Sequence, residues 1–433
     1  MGGVKFCGLF LMFAFLLTTF VEITIAQQQR RKTPNGGRRN NVCREFKDYY
    51  RIQTSRNCFY DPAGEFELPE LVGRAGYPLE RHTLTAIDGY ITTIFRLPNI
   101  NYPHSNGQPV FIQHGILSNS ANFITHGNVS LAYVLWNAGY DVWIGNFRGS
   151  YYSEGHVNLT TYDKEYWDHS IDEMALYDTP EAMSYMTSIT GKSLFYIGHS
   201  LGTTIGMMYA SEFPEEAARN IKLFVFMAPA YTLTNMISPY KQVAYTLPFF
   251  LKLANDFDLI RLISQSQPLR WMSEIVCLES PVLIQLCAQL HNLFYGPITG
   301  VGSEKVPVYY NVVPGGTSLK ALTQASALVK GEFRKFDYGI KKNPEVYGTL
   351  QPPEYDIKKI LVPTYVMYGQ NDWVVGRKDS LNFYNNLSPI ARYGIREIND
   401  GDFNHLDFVY GRRVKEYAYD RIIQLFQTFP NSK

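Results

Sequence analysis

The sequence predicts an α/β fold: a mostly parallel central sheet with helices on both faces, plus a cap or lid insertion late in the chain. Three observations carry this expectation. Short apolar runs alternate with helical stretches along most of the 433 residues, 45% of which are hydrophobic. A Gly-x-Ser-x-Gly turn joins one such run to a helix. Between residues 231 and 355 the alternation fails, and large aromatic side chains take over.

Residues 1–26 read as a cleaved signal segment. Lys5 gives the positive start, and Cys7 to Val21 is apolar apart from Gly8, Thr18 and Thr19. Thr24-Ile25-Ala26 offers the small residues that cleavage needs. The run is shorter than a membrane span of about 20 residues, and no later stretch matches it. The mature chain is therefore expected to be soluble, with no transmembrane segment.

Residues 27–66 are expected to form a basic, polar arm, disordered from Gln27 to Asn41, where there is little to bury. The arm holds Arg30, Arg31, Lys32, Arg38 and Arg39. Lys5 and Glu22 cancel before it, so a total of +1 leaves −4 on everything from residue 44 onward. Such a body has no field that would draw nucleic acid, and no nucleic-acid partner is expected. The arm's charges read as solvated.

The core is expected over 67–230 and 356–433, with the cap over 231–355. Arg81–Ile87 and Tyr90–Leu97 alternate around Asp88-Gly89, a hairpin signal. Strands follow at Pro109–Gln113, Tyr140–Ile144, Ser193–Ile197, Lys222–Met227 and Ile360–Tyr368. Helices are expected at Tyr166–Thr187, bent or broken by Pro180, at Thr203–Phe213 and at Arg412–Phe429.

Loss of the signal would remove Cys7 and leave Cys43, Cys58, Cys277 and Cys287. Four cysteines allow three connectivities. The local pairs Cys43–Cys58 and Cys277–Cys287 are preferred, because each closes a short loop in an oxidising compartment. N-x-[ST] triplets at Asn128, Asn158 and Asn386 suit passage through the same route as glycosylation sites.

The sharpest chemical signal is Gly198-x-Ser200-x-Gly202 between a β run and a helix. A serine hydroxyl becomes a nucleophile only when a base takes its proton. A tight turn lifts it above the sheet, with glycines where backbone approaches too closely for a Cβ. The base and its orienting acid should follow in the order Ser, Asp, His. Of nine histidines only His291 and His405 come after Ser200, and His291 lies in the cap. His405 is the expected base. Asp372, just past the Ile360–Tyr368 strand, is the expected acid, ahead of Asp402 and Asp407. The backbone N–H of Leu201 supplies one oxyanion donor, and the loop Gln113-His114-Gly115-Ile116 is placed to supply another. His114 as a metal ligand has no second ligand nearby, and neither a metal nor an organic cofactor is expected.

From about Gly76 to Gly411 the chain resembles the acid lipase family, the gastric and lysosomal lipases of the α/β-hydrolase superfamily. The resemblance rests on motifs in order: Gly76-Tyr77-Pro78, Asp88-Gly89-Tyr90, Gln113-His114-Gly115, Gly145-Asn146-x-Arg148-Gly149, Asp172-Glu173-Met174-Ala175-x-Tyr177-Asp178, Gly198-His199-Ser200, Gly316-Thr317-Ser318, Gly369-x-Asn371-Asp372 and Asn404-His405-Leu406-Asp407-Phe408. It implies Ser200 as nucleophile, Asp372 as acid and His405 as base, with oxyanion donors on Leu201 and Ile116. It also implies a cap disulfide at Cys277–Cys287 and a cap over a deep apolar cleft. The implied partner is a lipid ester at an emulsion or membrane interface, and the implied destination is extracellular fluid, gut lumen or lysosome. One departure stands beside the nucleophile: Leu201 replaces the family's usual glutamine. Only its backbone N–H is needed, so activity is expected to survive. A carboxylesterase of short soluble esters and a non-catalytic lipid-binding relative are the rival expectations.

Overall fold

The computed structural model describes residues 39–100, 102–256, 266–297 and 300–430. The expected signal segment, and the expected arm as far as residue 38, lie outside the described residues. The chain divides into two compact units at Asp61/Pro62.

In the first unit, β1 (Val42–Cys43) pairs antiparallel with β2 (Cys58–Phe59), and a disulfide joins Cys43 to Cys58 across the pair. Asp48 closes the loop between them, accepting from Ser55 Oγ at 2.8 Å and Asn57 Nδ2 at 3.0 Å. Ordered structure begins before the expected end of the disordered stretch. Asn40 donates to the Ile52 carbonyl at 2.9 Å, and Asn41 to that of Asp61 at 2.9 Å.

The second unit is built on a nine-stranded sheet. Its strands are β3 (Glu80–Thr85), β4 (Tyr90–Leu97), β5 (Pro109–Gln113), β6 (Asp141–Ile144), β7 (Gly155–His156), β8 (Leu194–His199), β9 (Ile221–Met227), β10 (Thr364–Gly369) and β11 (Arg392–Ile398). They lie in the order β11-β10-β9-β8-β5-β6-β4-β3, with β7 on β4. From β6 to β11 all pairings are parallel, and β4 turns the edge antiparallel. Every residue of β5, β6, β8 and β10 is buried, as helices on both faces of a parallel sheet require. Register aligns Gln113 with Gly198 and His199 with Met227. The carboxyl ends of β5, β8 and β9 therefore share one edge.

Three elements differ from their sequence reading for local reasons. Expected from Ile360, β10 starts at Thr364, after Pro363 whose nitrogen cannot donate to a neighbouring strand. The stretch Tyr166–Thr187, expected to be bent or broken at Pro180, does break, but ahead of the proline: a short turn at Glu165–Trp167 is followed by a run from Ile171 to Thr190. A wide turn at Met174–Asp178 takes up Pro180, which sits in the first turn of the final helix, Thr179–Thr190. The hairpin turn is longer than two residues: Ala86 N–H donates to the Tyr90 carbonyl at 2.8 Å, and Ile87 projects into solvent.

Three separated motifs meet at one buried cation. The Arg148 guanidinium binds Asp178 at 2.6 and 2.8 Å and Asp88 at 2.5 and 3.1 Å, and lies 4.1 Å over the Tyr90 ring. Two carboxylates and a ring face offset the desolvation of a fully buried charge. These motifs are therefore structural. They tie the hairpin, the loop after β6 and the helix before β8 into one frame.

The 231–355 segment contributes helices at Tyr240–Asp256, Ser266–Leu278, Pro281–Tyr295, Lys305–Val312 and Leu319–Val329. A disulfide joins Cys277 to Cys287 on adjacent helices. The segment is pinned to the core by buried Asp172, which accepts from Gln324 Nε2 at 2.6 Å and from the Phe336 amide at 2.7 Å.

Candidate active site

Ser200 stands in the turn between β8 and the helix Leu201–Glu212, with φ 54° and ψ −120°. That is a strained conformation for a residue with a Cβ. Its surroundings hold it there. A Cβ on Gly198 would lie 2.8 Å from Gly202, and one on Gly202 would lie 2.4 Å from the Gln113 carbonyl oxygen. Both glycines are required because the helix packs directly on the ends of β5 and β8. The Ser200 N–H donates to the Met227 carbonyl at 3.1 Å, and its own carbonyl accepts from Thr203 N–H at 2.8 Å.

His405 Nδ1 is 2.9 Å from Asp372 Oδ2. The other oxygen, Oδ1, accepts from the Val374 and Val375 amides at 2.9 and 2.8 Å. Those two donors fix the carboxylate and leave Oδ2 for the ring, so Nδ1 carries the proton and Nε2 keeps its lone pair. Asp372 follows β10 and His405 follows β11, so sheet order brings them together. The rivals to Asp372 point elsewhere. Asp402 is exposed, while Asp407 Oδ2 accepts the Asn404 amide at 2.8 Å and shapes the loop that carries His405. Burial raises the Asp407 carboxyl to about 7.

Ser200 and His405 both line one cavity of about 390 Å³, together with Leu201, Gly115 and Ile116. Leu201 opens the helix, whose N-terminal end favours developing negative charge. The Gly115–Ile116 loop is close by, since a Cβ on Gly115 would sit 3.2 Å from that of Ser200. The wall is otherwise mostly apolar, with Leu233, Met236, Val243, Leu322 and Val329 from the 231–355 segment, and carries a few polar groups such as Ser118, Asn122 and Thr204.

His114 and His291 take other places. His114 Nδ1 donates to the Gly115 carbonyl at 2.8 Å, and its Nε2 accepts from the Phe147 amide at 3.3 Å, so both ring nitrogens are spent on backbone. Burial lowers it to about 4. His291 packs on Tyr309, with ring centroids 4.3 Å apart, and burial lowers it to about 4 as well. The three sequon asparagines, Asn128, Asn158 and Asn386, are exposed.

Two features were not legible in the motifs. His199, between Gly198 and Ser200, donates from Nε2 to the His405 carbonyl at 3.2 Å and so ties the loop of His405 to the Ser200 turn. Burial, then the nearby His405, holds it well below the ordinary histidine range. Tyr295 lies parallel to the His405 ring at 6.0 Å, and its hydroxyl joins those of Tyr240 and Tyr309. The aromatic richness of the segment was the only signal for this group.

Residues 68–127 match the model of a partial α/β-hydrolase lipase region, and residues 108–259 that of the α/β hydrolase fold. Nucleophile turn, sheet order and these matches define an α/β hydrolase. The chain is 35% identical over 377 residues to the lysosomal acid lipase/cholesteryl ester hydrolase of Homo sapiens, covering 85% of this chain and 92% of that one. It is 32% identical over 382 residues to a lipase of Caenorhabditis elegans, covering 84% and 92%. This chain belongs to the acid lipase family, a family of lipid ester hydrolases. A soluble variant of a monoglyceride lipase from Saccharomyces cerevisiae, solved with a substrate analog, shares the fold, with TM-score 0.50, 15% identity and coverage of 82% and 96%.

Proposed function

We propose that this chain is a lipase that enters the secretory route and hydrolyses fatty acyl esters of neutral lipids through an acyl-enzyme on Ser200. The observation that carries the reading is a strained Ser200 and a His405 bonded to Asp372, both Ser200 and His405 lying on the wall of one mostly apolar cavity. Ser200 Oγ attacks the ester carbonyl carbon while His405 Nε2 takes its proton. Buried Asp372 stabilises the imidazolium that forms. The Leu201 and Ile116 amides hold the oxyanion, a contribution of about 3 kcal/mol per donor. The tetrahedral centre collapses, His405 gives its proton to the leaving alcohol, and water then releases the fatty acid by the same steps.

The apolar wall supports a long acyl chain over a short one, because each buried methylene adds about 0.8 kcal/mol. The relatives named as lysosomal acid lipases and cholesteryl ester hydrolases support neutral lipid esters and a lysosomal destination, beside the extracellular one. Exposed Asn128, Asn158 and Asn386 are proposed glycosylation sites on that route.

The test compares emulsified triolein with a short soluble ester from about pH 4 to 9, which brackets histidine titration, for wild type and Ser200→Ala. Hydrolysis of the emulsion by wild type alone is expected. Turnover of the short ester alone would make the chain a carboxylesterase. Equal background from both proteins would leave a lipid-binding relative without catalysis.

A further inference from the structure

Three phenols meet in the mostly apolar cavity. Tyr240 Oη donates to Tyr295 Oη at 3.1 Å, and Tyr295 and Tyr309 share a second bond of 3.1 Å. Burial, the largest influence on each, holds all three well above the ordinary phenol range, so the protons stay in place. Three hydroxyls bring three protons, and the two bonds use two of them. Whichever way the Tyr295–Tyr309 bond runs, one O–H on Tyr295 or Tyr309 is not spent within the group. The Nε2 of His291, whose ring packs on Tyr309, does not take it, having no hydrogen-bond partner among the described residues. A donor held in an apolar cavity is costly until an oxygen acceptor meets it.

The position of this donor says which part of a substrate it meets. Tyr295 stacks parallel on His405 at 6.0 Å, and Tyr295 and Tyr309 line the cavity that holds Ser200. His405 touches the leaving alcohol, because it returns its proton to that oxygen. The leaving alcohol therefore sits in the cavity that His405, Tyr295 and Tyr309 line together, and in a glyceride the next oxygen follows three bonds beyond the leaving one.

We propose that the Tyr240–Tyr295–Tyr309 hydroxyls form an alcohol-side subsite that recognises a second oxygen on the leaving alcohol and so favours glycerides over steryl esters. A glyceride carries oxygens on the carbons next to the ester-bearing one, whereas a steryl ester presents only hydrocarbon there. A steryl ester leaves the buried donor unmet, and a site built to pair an oxygen discriminates against ligands that lack it. The proposal rests on the reading of His405 as the base that serves the leaving alcohol.

Tyr295→Phe, Tyr309→Phe and the double variant keep the rings, and with them the stack on His405, but remove the hydroxyls. Turnover of triolein and cholesteryl oleate in identical mixed micelles gives a glyceride-to-steryl ratio of kcat/KM. That ratio is expected to fall about three- to tenfold in the double variant, the range for one hydrogen bond. An unchanged ratio, or equal losses on both esters, would overturn the subsite. A second measurement separates this from the ester hydrolase reading. Ser200→Ala protein, with and without the two Tyr→Phe changes, is titrated calorimetrically with a monoalkyl glycerol ether and with a cholesteryl alkyl ether. The Phe changes should weaken the glycerol ether about three- to tenfold more than the steryl one. That result in a protein that hydrolyses neither ester would remove the catalytic reading and keep the subsite. Equal binding effects in a protein that does hydrolyse esters would do the reverse.

Discussion

At the sheet edge, Ser200 is fixed by backbone: two glycines with no room for a Cβ, a carbonyl from β9 and a helix packed onto strand ends. In the 231–355 segment, Tyr295 is held by side chains, through two phenol bonds and ring contacts. Backbone constraints leave few sequences that satisfy them, while side-chain contacts leave many. The same difference separates their surfaces. Ser200, Asp372 and His405 are buried, yet the helix Pro281–Tyr295 carries no charged residue and exposes Val282, Leu286, Leu290 and Leu293. The edge is built for fixed geometry. The segment is suited to meet an apolar phase.

Asp372→Asn should break the edge most severely. An amide keeps the shape but cannot hold the His405 proton on Nδ1 as an anion does. A fall in kcat of about 10⁴-fold is expected on emulsion and soluble ester alike, with thermal unfolding little changed. Gly202→Ala comes next. Its Cβ would meet the Gln113 carbonyl oxygen at 2.4 Å, so the turn must shift. A displacement of about 1 Å at the nucleophile costs about 100-fold in rate, read on both substrates together with a lowered Tm.

The segment should respond differently. Leu286→Ser with Leu290→Ser removes apolar area that a lipid phase would cover, where one fully buried leucine is worth about 1.5–3 kcal/mol. Emulsion hydrolysis is expected to fall about tenfold, while the soluble ester changes less than twofold. Equal losses on both substrates would erase the contrast between the two regions.

How much of this was readable follows the same division. Ser200, Asp372 and His405 stand in motifs because a strand end and a tight turn constrain neighbouring residues, and parallel strands advertise themselves as short apolar runs. The role of His199 was hidden, since a residue in the Gly198–Gly202 turn says nothing about a loop 206 residues away. Arg148, Asp88 and Asp178 were visible as separate motifs but not as one ion cluster, because their meeting depends on tertiary packing. For Tyr240, Tyr295 and Tyr309, helical periodicity shows which face is apolar and is silent on which helices cross.

Acid should affect the regions through opposite groups. His291 in the inserted segment titrates at about 4 when folded, below an unfolded value of about 6.5. Its stabilising contribution is therefore complete above about pH 6.5 and is lost as pH falls toward 4. Asp407, raised to about 7 against an ordinary 3.8, has the reverse sign: its contribution is complete below 3.8 and is lost as pH rises through 7. His291→Leu should flatten the fall of stability between pH 6.5 and 4, and Asp407→Asn should steepen it. Each change is bounded by about 1.4 kcal/mol per pH unit, the effect of one proton. Denaturant unfolding at several pH values reads both slopes.

The central claim is that Ser200 is a nucleophile activated by His405 and Asp372. Reaction with an alkyl phosphonate ester, followed by intact-mass and peptide mass spectrometry, tests it directly. One covalent adduct is expected, on Ser200, formed orders of magnitude more slowly in His405→Ala and absent in Ser200→Ala. An adduct on another residue, or labelling of Ser200 at the same rate without His405, would contradict it.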